Sequence, residues 1–252
     1  MELKPGERID YVNDNLSLIQ NTEGLTFGTD ALLLAGYMST GLGTSLELGA
    51  GTGIISMLAL TRNKAKNVTA LEVQEEYAEL IKRNAELNGL SDRLTSLSAD
   101  LRSFSASGEY DCVFTNPPYM KADGGRSNLS DKKNIARHEV RGGIYDFLEC
   151  AGRALRFGGA FFAVYRQDRL ADLMDAMRRS SVEPKRMTFV HADTKALPSM
   201  VLVEGRRGGK CGLKITRPLF IYTDRSHLEY SDDMKYIMEN GSFDEEFYIK
   251  NG

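Results

Sequence analysis

Short apolar strands alternate with helices through most of this chain, and that alternation restricts it to few folds. The expected strands are 44–48, 67–73, 93–99, 110–115 and 160–165, and the expected helices are 54–60, 74–88, 144–155 and 170–179. Strands separated by helices form a mostly parallel sheet that helices cover on both faces. Two further strands, at 187–191 and 200–204, follow one another directly and predict an antiparallel pair.

The length of 252 residues suits a single α/β domain with additions. We predict an N-terminal extension over 1–40, a main domain over 41–223, and an acidic C-terminal tail over 224–252 that packs on the domain. No apolar stretch reaches the length needed to span a bilayer, and the first residues lack the apolar core of a signal peptide. Three scattered cysteines, which we expect to be packing residues, favour a cytoplasmic location: Cys112, Cys150 and Cys211.

Charge is distributed unevenly along the chain, although the net charge is only −3. Residues 1–120 hold 9 Lys/Arg against 16 Asp/Glu, whereas residues 121–217 hold 20 against 11. A basic block inside an acidic chain can attract phosphate groups. The alternative is a solvated surface with chance clustering, so the block is compatible with RNA binding without establishing it.

A glycine-rich turn, Glu47–Gly53, joins the first strand of this series to a helix. Its glycines, Gly49, Gly51 and Gly53, allow a sharp turn and close approach of a ligand, but their spacing differs from that of the dinucleotide fingerprint G-x-G-x-x-G. The acid Glu47 precedes them. A carboxylate here suits S-adenosylmethionine (SAM), which carries a sulfonium and an ammonium group but no pyrophosphate. The alternative is an acid that only braces the loop.

Acids also end the next two strands, where ligands bind in sheets of this type. Glu72, followed by Val73, lies 25 residues after Glu47, which is typical of an acid that binds ribose hydroxyls. Asp100 and the backbone N–H of Leu101 are candidates for binding the adenine ring of SAM. For both acids the alternative is a solvated charge at the end of a strand.

The sharpest motif is Asn116-Pro117-Pro118-Tyr119, directly after the strand 110–115. The two prolines stiffen the backbone and remove two donors. The Pro117 carbonyl and the Asn116 side chain then offer two acceptors for the protons of a planar amino group, and Tyr119 can stack on its plane. Such a site works by orientation and electrostatics, and needs no strong base. The alternative is a purely structural Pro-Pro turn.

In this order, the motifs resemble those of class I SAM-dependent methyltransferases that modify planar amino groups. The Asn-Pro-Pro-Tyr form is shared by adenine-N6 and glutamine-N5 enzymes, and the resemblance covers residues 44–204. It implies a seven-stranded, Rossmann-like, mostly parallel sheet with a C-terminal antiparallel hairpin. It also implies SAM as the cofactor and Asn116, Pro117 and Tyr119 as catalytic residues, with Asn116 also among the residues that bind the cofactor.

Three further segments resemble bacterial tRNA (adenine-N6) methyltransferases that act on adenosine 37 of a valine tRNA. They are Phe27–Leu34, Ala136–Glu139 and Val201–Arg206. On that similarity, Thr29 and Asp30 would lie near the SAM pocket. The segment that contains them is equally compatible with a helix that only covers the sheet.

Basic residues from the positive block are the candidates for RNA contacts. They are Arg137, His138, Arg141, Arg206, Arg207, Lys210 and Lys214, with Arg217 close behind. A solvated face is the alternative for the last five, and a loop-bracing role is the alternative for His138. We expect no metal site and no membrane contact. The polar segment 120–134 is typical either of a lid or of an idle loop.

The resulting hypothesis is methyl transfer from SAM to the N6 amino group of an adenine in RNA, with tRNA as partner. An adenine in a single-stranded loop is cheap to splay out, so a small enzyme without an added RNA-binding domain suffices. Alternatives are a glutamine-N5 protein methyltransferase, whose family usually carries a helical domain longer than residues 1–40, a DNA adenine-N6 or RNA guanine-N2 methyltransferase, and a non-catalytic binding module.

Overall fold

The computed structural model describes residues 2–22, 28–118 and 142–248. Its strands are β1 (Glu7–Asn13), β2 (Leu16–Asn21), β3 (Leu42–Leu48), β4 (Ala65–Glu72), β5 (Leu94–Ser98), β6 (Tyr110–Thr115), β7 (Leu155–Arg166), β8 (Val182–His191), β9 (Pro198–Arg207), β10 (Lys214–Ile215) and β11 (Leu219–Phe220). Its α-helices are α1 (Thr29–Tyr37), α2 (Ile54–Thr61), α3 (Glu75–Leu87), α4 (Ile144–Ala154), α5 (Leu170–Arg179) and α6 (Asp232–Asn240). One short 3-10 helix, Gln167–Arg169, directly precedes α5, and another, Glu245–Tyr248, lies after α6.

The central sheet has the strand order β10-β8-β9-β7-β6-β3-β4-β5, with β11 also paired to β8. Strands β5, β4, β3, β6 and β7 run parallel, and β9 lies antiparallel between β7 and β8. The predicted α/β fold, the seven predicted strands and the antiparallel pair are therefore confirmed. In the part of the chain that the structure describes, the sheet has nine strands, because the two-residue strands β10 and β11 bond to the outer edge of β8 and cover it.

Alternate residues of the central strands face two layers of helices. On β6, Cys112 and Phe114 pack among residues from α1, α2 and α3, whereas Val113 packs among residues from α4 and α5. This period of two is the expected geometry of a strand buried on both faces. Cys150 is also buried, but Cys211 is exposed, so the expectation of a packing role fails for Cys211.

The N-terminal extension contains an antiparallel hairpin, β1–β2, that the sequence did not reveal. Asn84 on α3 fastens it, because its side chain accepts the N–H of Ile19 at 2.7 Å and donates to the carbonyl of Ile19 at 3.2 Å. Asn88, one turn later, makes the same pair of bonds to Ser17. The hairpin thereby joins the domain through side chains, and within the described part of the chain its two strands form a sheet of their own.

Residues after the sheet pack on α1. Phe243 and Phe247 are buried, and the ring of Phe243 meets that of Tyr37 at 5.4 Å. No helix among the described residues is both long and apolar enough to cross a membrane. The predicted domain boundaries stay a prediction.

Lys64 is buried and holds the C-terminal end of α1. Its ammonium group donates to the carbonyls of Gly36 at 2.9 Å and Met38 at 2.6 Å, and burial lowers its pKa to about 7. Replacing Lys64 with alanine should lower the free energy of unfolding by about 2–4 kcal/mol, because two buried carbonyls lose their partner. Urea denaturation measures the change, and the exposed Lys66→Ala is the control, for which no comparable loss is expected.

Candidate active site

The glycine-rich turn lies between the end of β3 and the start of α2. Gly49, Gly51 and Gly53 all have positive φ, at +67°, +55° and +80°. The N–H groups of Gly49 and Ala50 both donate to the carbonyl of Leu71 on β4, at 2.9 and 3.1 Å. The turn is therefore fixed to the neighbouring strand in a backbone shape that other residues rarely adopt.

The three glycines have different surroundings. A Cβ at Gly49 would lie 3.1 Å from the Phe147 ring, and one at Gly53 would lie 3.1 Å from Ile81. These two positions need glycine for packing as well as for φ. At Gly51 a Cβ would meet no atom of the described residues within 4 Å, so this part of the chain leaves open space beside the Gly51 backbone. Open space against a rigid backbone is the arrangement that a bound ligand requires.

Glu47 is directed into the protein, where it is almost fully buried. Its carboxylate accepts the backbone N–H of Ser56 at 3.0 Å and also the hydroxyl of Ser56. Burial raises the pKa of Glu47 to about 8. These contacts brace the turn against α2, which is the alternative role considered from the sequence. Binding of the cofactor by Glu47 stays a prediction.

The buried Glu47 makes stability depend on pH. Because its pKa rises from the ordinary 4.5 to about 8 on folding, its contribution is complete below pH 4.5 and is lost as pH rises through 8. Glu47→Gln stays uncharged, so the stability advantage of wild type over this variant should fall by up to about 5 kcal/mol over that window. Urea denaturation at a series of pH values measures the difference, and the exposed Glu75→Gln should show no such trend.

Glu72 ends β4 and connects two parts of the site. One carboxylate oxygen accepts the N–H of Gly51 at 2.9 Å, and the other accepts the backbone N–H of Gln74 at 3.0 Å. Glu72 is buried, while the adjacent Val73 is half-buried. The carboxylate therefore fixes the open part of the glycine turn to the end of the second strand.

Asp100 follows β5 and pairs with Arg102 at 2.5 Å. The Arg102 guanidinium holds the pKa of this carboxyl below its usual range. About a third of the Asp100 side chain is exposed, whereas Leu101 is buried. Asp100 is thus accessible at the edge of the sheet, but its carboxylate is already paired with Arg102.

Asn116 follows β6 and lies beside the glycine turn. The preceding residue, Thr115, pairs with Leu48 in the sheet and donates its hydroxyl to the Leu48 carbonyl at 2.8 Å. The Asn116 side chain donates through Nδ2 to Oδ2 of Asp30 at 2.7 Å. Pro117 is buried and Pro118 is half-buried, whereas Tyr119 lies outside the described residues.

The sheet register explains why these groups meet. Leu48 pairs with Leu71 on one side and with Thr115 on the other, and Glu72 pairs with Ser98. The carboxyl ends of four parallel strands therefore lie at one edge, as the general rule for such sheets expects. Helix α1 brings Thr29, which is half-buried, and Asp30 to the same edge. The predicted site residues that lie at this edge are Thr29, Asp30, Glu47, Gly49, Gly51, Gly53, Glu72, Val73, Asp100, Leu101, Asn116 and Pro117, and their roles stay predictions.

Two of the predicted RNA-binding residues, Arg206 and Arg207, are not brought to this edge. Arg206 pairs with Ala160 in the first half of β7, and Arg207 pairs with Val182 at the start of β8, so both lie toward the opposite edge. Arg206 bonds to Glu204 at 2.9 Å, and Arg207 donates to the Gly152 carbonyl at 2.8 Å.

The other basic candidates are more open or not described. Lys210 and Lys214 are exposed, and Arg217 pairs with Asp233 at 2.5 Å. The remaining candidates, which lie outside the described residues together with the segment 120–134, are Arg137, His138 and Arg141.

Two partners of site residues were missed from the sequence. Ser56 bonds to the Glu47 carboxylate. The sequence feature that could have revealed it is a serine in the first turn of the helix that follows the glycines. The pairing of Asp30 with Asn116 joins residues 86 positions apart, and no local pattern reveals it.

The model of the methyltransferase small domain matches residues 21–184 of this chain. The chain belongs to the methyltransferase small domain family. This is a family of SAM-dependent enzymes, so the prediction of SAM as cofactor is confirmed at the level of the family. The open space at Gly51 and the carboxylates of Glu72 and Asp100 at the adjacent strand ends fit a ligand with hydroxyl and amino donors.

Relatives and solved structures agree with this family assignment. A tRNA1(Val) (adenine(37)-N6)-methyltransferase from Dyadobacter fermentans is 27% identical over 60% of this chain and 62% of its own length, less than two thirds of that protein. One of the same name from Flavobacterium psychrophilum is 28% identical over 93% of this chain and 97% of its own. The crystal structure of a predicted O-methyltransferase from Agrobacterium tumefaciens superposes with a TM-score of 0.69 at 23% identity, covering 88% of this chain and 100% of that one. The last similarity concerns the fold.

Proposed function

We propose that this methyltransferase transfers the methyl group of SAM to the exocyclic N6 amino group of an adenine in RNA, with adenosine 37 of a valine tRNA as the acceptor. The observation that carries the proposal is the position of Asn116-Pro117-Pro118 directly beside the glycine turn, through the pairing of Thr115 with Leu48. The acceptors for an amino group and the glycine-rich turn, which is the candidate cofactor site, thereby lie at the same edge of the sheet.

The chemistry follows from the residues of this corner. SAM, when bound, supplies a methyl group that is electrophilic because it is attached to a sulfonium. The lone pair of an aromatic amine is delocalised into its ring, which makes the nitrogen a weak nucleophile. The Asn116 side-chain oxygen and the Pro117 carbonyl would accept the two amino protons, which favours a more tetrahedral nitrogen with a localised lone pair. Their contribution is orientation and electrostatic stabilisation.

The choice of base and RNA is supported by two relatives whose names state it. One of them aligns with nearly the whole chain. The sequence resemblance in Phe27–Leu34 supports the same acceptor, since Asp30 from that segment contacts Asn116. An unpaired base beside an anticodon needs little energy to reach a pocket. A cytoplasmic location is part of this proposal.

The deciding experiment incubates the purified protein with labelled SAM and with unmodified valine tRNA, followed by digestion to nucleosides and mass measurement. The expected product is N6-methyladenosine at position 37, absent when that adenosine is replaced by guanosine. Methyl-guanosine, methylated DNA in a parallel reaction, or a labelled glutamine in a protein substrate would each overturn the proposed acceptor.

In addition to the site at the carboxyl ends of the strands, we propose that Lys210 and Lys214 contact the RNA. Both are exposed. Replacing both with alanine should raise KM for tRNA and leave kcat unchanged, since phosphate contacts strengthen binding without entering the reaction. The salt dependence of KM should also become shallower. Lys66→Ala, at an exposed position on β4, is the control. An unchanged KM and salt slope would exclude this surface.

A further inference from the structure

The side chain of Asp30 touches Asn116, and we propose that Asp30 is a positioning residue that sets the orientation of the Asn116 amide for the methyl acceptor. Oδ2 of Asp30 accepts a hydrogen bond from Nδ2 of Asn116 at 2.7 Å. The inference rests on the proposed function, because it assigns to Asn116 the task of accepting an amino proton. It gives Asp30 a role different from the cofactor contact that the sequence resemblance implied.

An ionised carboxylate can only accept hydrogen bonds, whereas the two ends of an asparagine amide differ. Only the NH2 end can face Asp30 favourably, because the carbonyl end would bring two partially negative oxygens together. The side-chain oxygen of Asn116 is therefore on the side of the amide away from Asp30. This is the group that an amino substrate needs as acceptor, so Asp30 selects the productive one of two amide orientations.

Asp30 itself is held firmly. Its other oxygen, Oδ1, accepts the N–H of Ala31 at 3.0 Å within the first turn of α1. The far end of α1 is fixed by Lys64, through the Gly36 and Met38 carbonyls, and by Arg186, which donates to the Tyr37 carbonyl at 3.0 Å. The helix thereby brings a fixed carboxylate to Asn116. Positions set by packed elements are more accurate than positions set by loops.

The pair also has an electronic consequence. A hydrogen bond to an ionised acceptor is stronger than one between neutral groups, and bonds in a chain polarise one another. Donation of Nδ2 to Asp30 raises the electron density on Oδ1 of Asn116. An adenine nitrogen gains positive charge as its bond to the methyl carbon forms, so a more negative Asn116 oxygen stabilises that state more than the ground state.

Kinetics of three variants test the proposal. Asp30→Ala should lower kcat about 10- to 100-fold, the effect of losing one charged hydrogen bond, and should change the Kd for SAM less than threefold. Asp30→Asn can still accept from Nδ2 without the charge, so its kcat should lie between those of wild type and Asp30→Ala. Asp232→Ala, which removes a carboxylate from the first turn of α6, is the matched control and should leave kcat unchanged. A large rise in the Kd for SAM with kcat intact would overturn the proposal in favour of a cofactor contact.

A reciprocal exchange gives a sharper outcome. Asn116→Asp places two carboxylates against one another and should be nearly inactive, whereas Asp30→Asn combined with Asn116→Asp restores a donor and an acceptor. We expect the double variant to exceed Asn116→Asp in kcat at least tenfold, a gain of about 1.4 kcal/mol in transition-state stabilisation. A folded double variant that binds SAM yet shows no recovery would contradict the proposal.

A spectroscopic measurement separates this inference from the proposed function. The side-chain NH2 resonances of Asn116, assigned by their loss in Asn116→Ala, should shift in Asp30→Ala and stay in place in Asp232→Ala. If wild type failed to methylate tRNA but the resonances shifted as expected, the acceptor would be wrong while the pairing stood. Unshifted resonances in Asp30→Ala would refute the pairing whatever the substrate.

Discussion

Replacing Asn116 with alanine is expected to lower kcat for methyl transfer about a thousandfold, the cost of removing one well-placed hydrogen-bonding group from a transition state. The variant should fold normally, because Asn116 is only half-buried and the adjacent Thr115 keeps its bond to the Leu48 carbonyl. SAM affinity should change little, since the bond of the Gly51 N–H to Glu72 still holds the open part of the glycine-rich turn. Calorimetry for SAM binding and a single-turnover assay on tRNA measure the two effects separately.

The control for this experiment is Asn67→Ala, which removes an exposed asparagine from β4 at a position that pairs with Thr44, away from the carboxyl ends of the strands. It should leave both kcat and SAM affinity at wild-type values. Turnover by Asn116→Ala within tenfold of wild type would mean that the segment Asn116-Pro117-Pro118 has only a structural role. In that case the methyl acceptor must be bound elsewhere on this edge of the sheet.

The placement of the site follows from the sequence because parallel register converts strand ends into neighbours. Once the segments 44–48, 67–73, 93–99 and 110–115 are recognised as parallel strands, the residues after each must meet at one edge. The structure shows this meeting through the pairs Leu48–Leu71, Leu48–Thr115 and Glu72–Ser98. The alternation of apolar strands with helices is sufficient for that conclusion, which does not depend on side-chain positions.

Side-chain direction was not predictable in the same way. Glu47 belongs to the expected turn, yet its carboxylate faces Ser56 inside the protein, because burial among α2 residues decides its direction. Arg206 and Arg207 belong to the expected hairpin, but the antiparallel course of β9 takes them away from Asn116. The local charge pattern does not show at which edge of the sheet a basic residue lies.

Contacts between distant segments were missed for the same reason. The β1–β2 hairpin depends on Asn84 and Asn88, more than sixty residues later in the chain. An asparagine on a helix normally reads as a surface residue of modest helix propensity. Only the folded structure shows that the side-chain amides of Asn84 and Asn88 bond to the backbone of β2, as a neighbouring strand would.

Gly51→Asn is expected to weaken SAM binding more than about tenfold without unfolding the protein, and it tests the cofactor side of the site. Among residues with side chains, asparagine tolerates positive φ best, so the strain at φ +55° should cost about 1 kcal/mol. The side chain would enter the space beside the turn, where a Cβ lies farther than 4 Å from every atom of the residues that the structure describes. If a ligand occupies that space, its affinity should fall more than about tenfold, corresponding to at least 1.4 kcal/mol.

Gly89→Asn is the matched control, because Gly89 has φ +65° and also faces open space, but it ends α3 away from the carboxyl edge. Both variants should lose similar amounts of stability in urea denaturation, since the backbone strain is nearly the same. Only Gly51→Asn should lose SAM affinity in calorimetry. Equal affinities for SAM in the two variants would place the cofactor away from Gly51 and would leave the pairing of Gly51 with Glu72 as a purely structural brace.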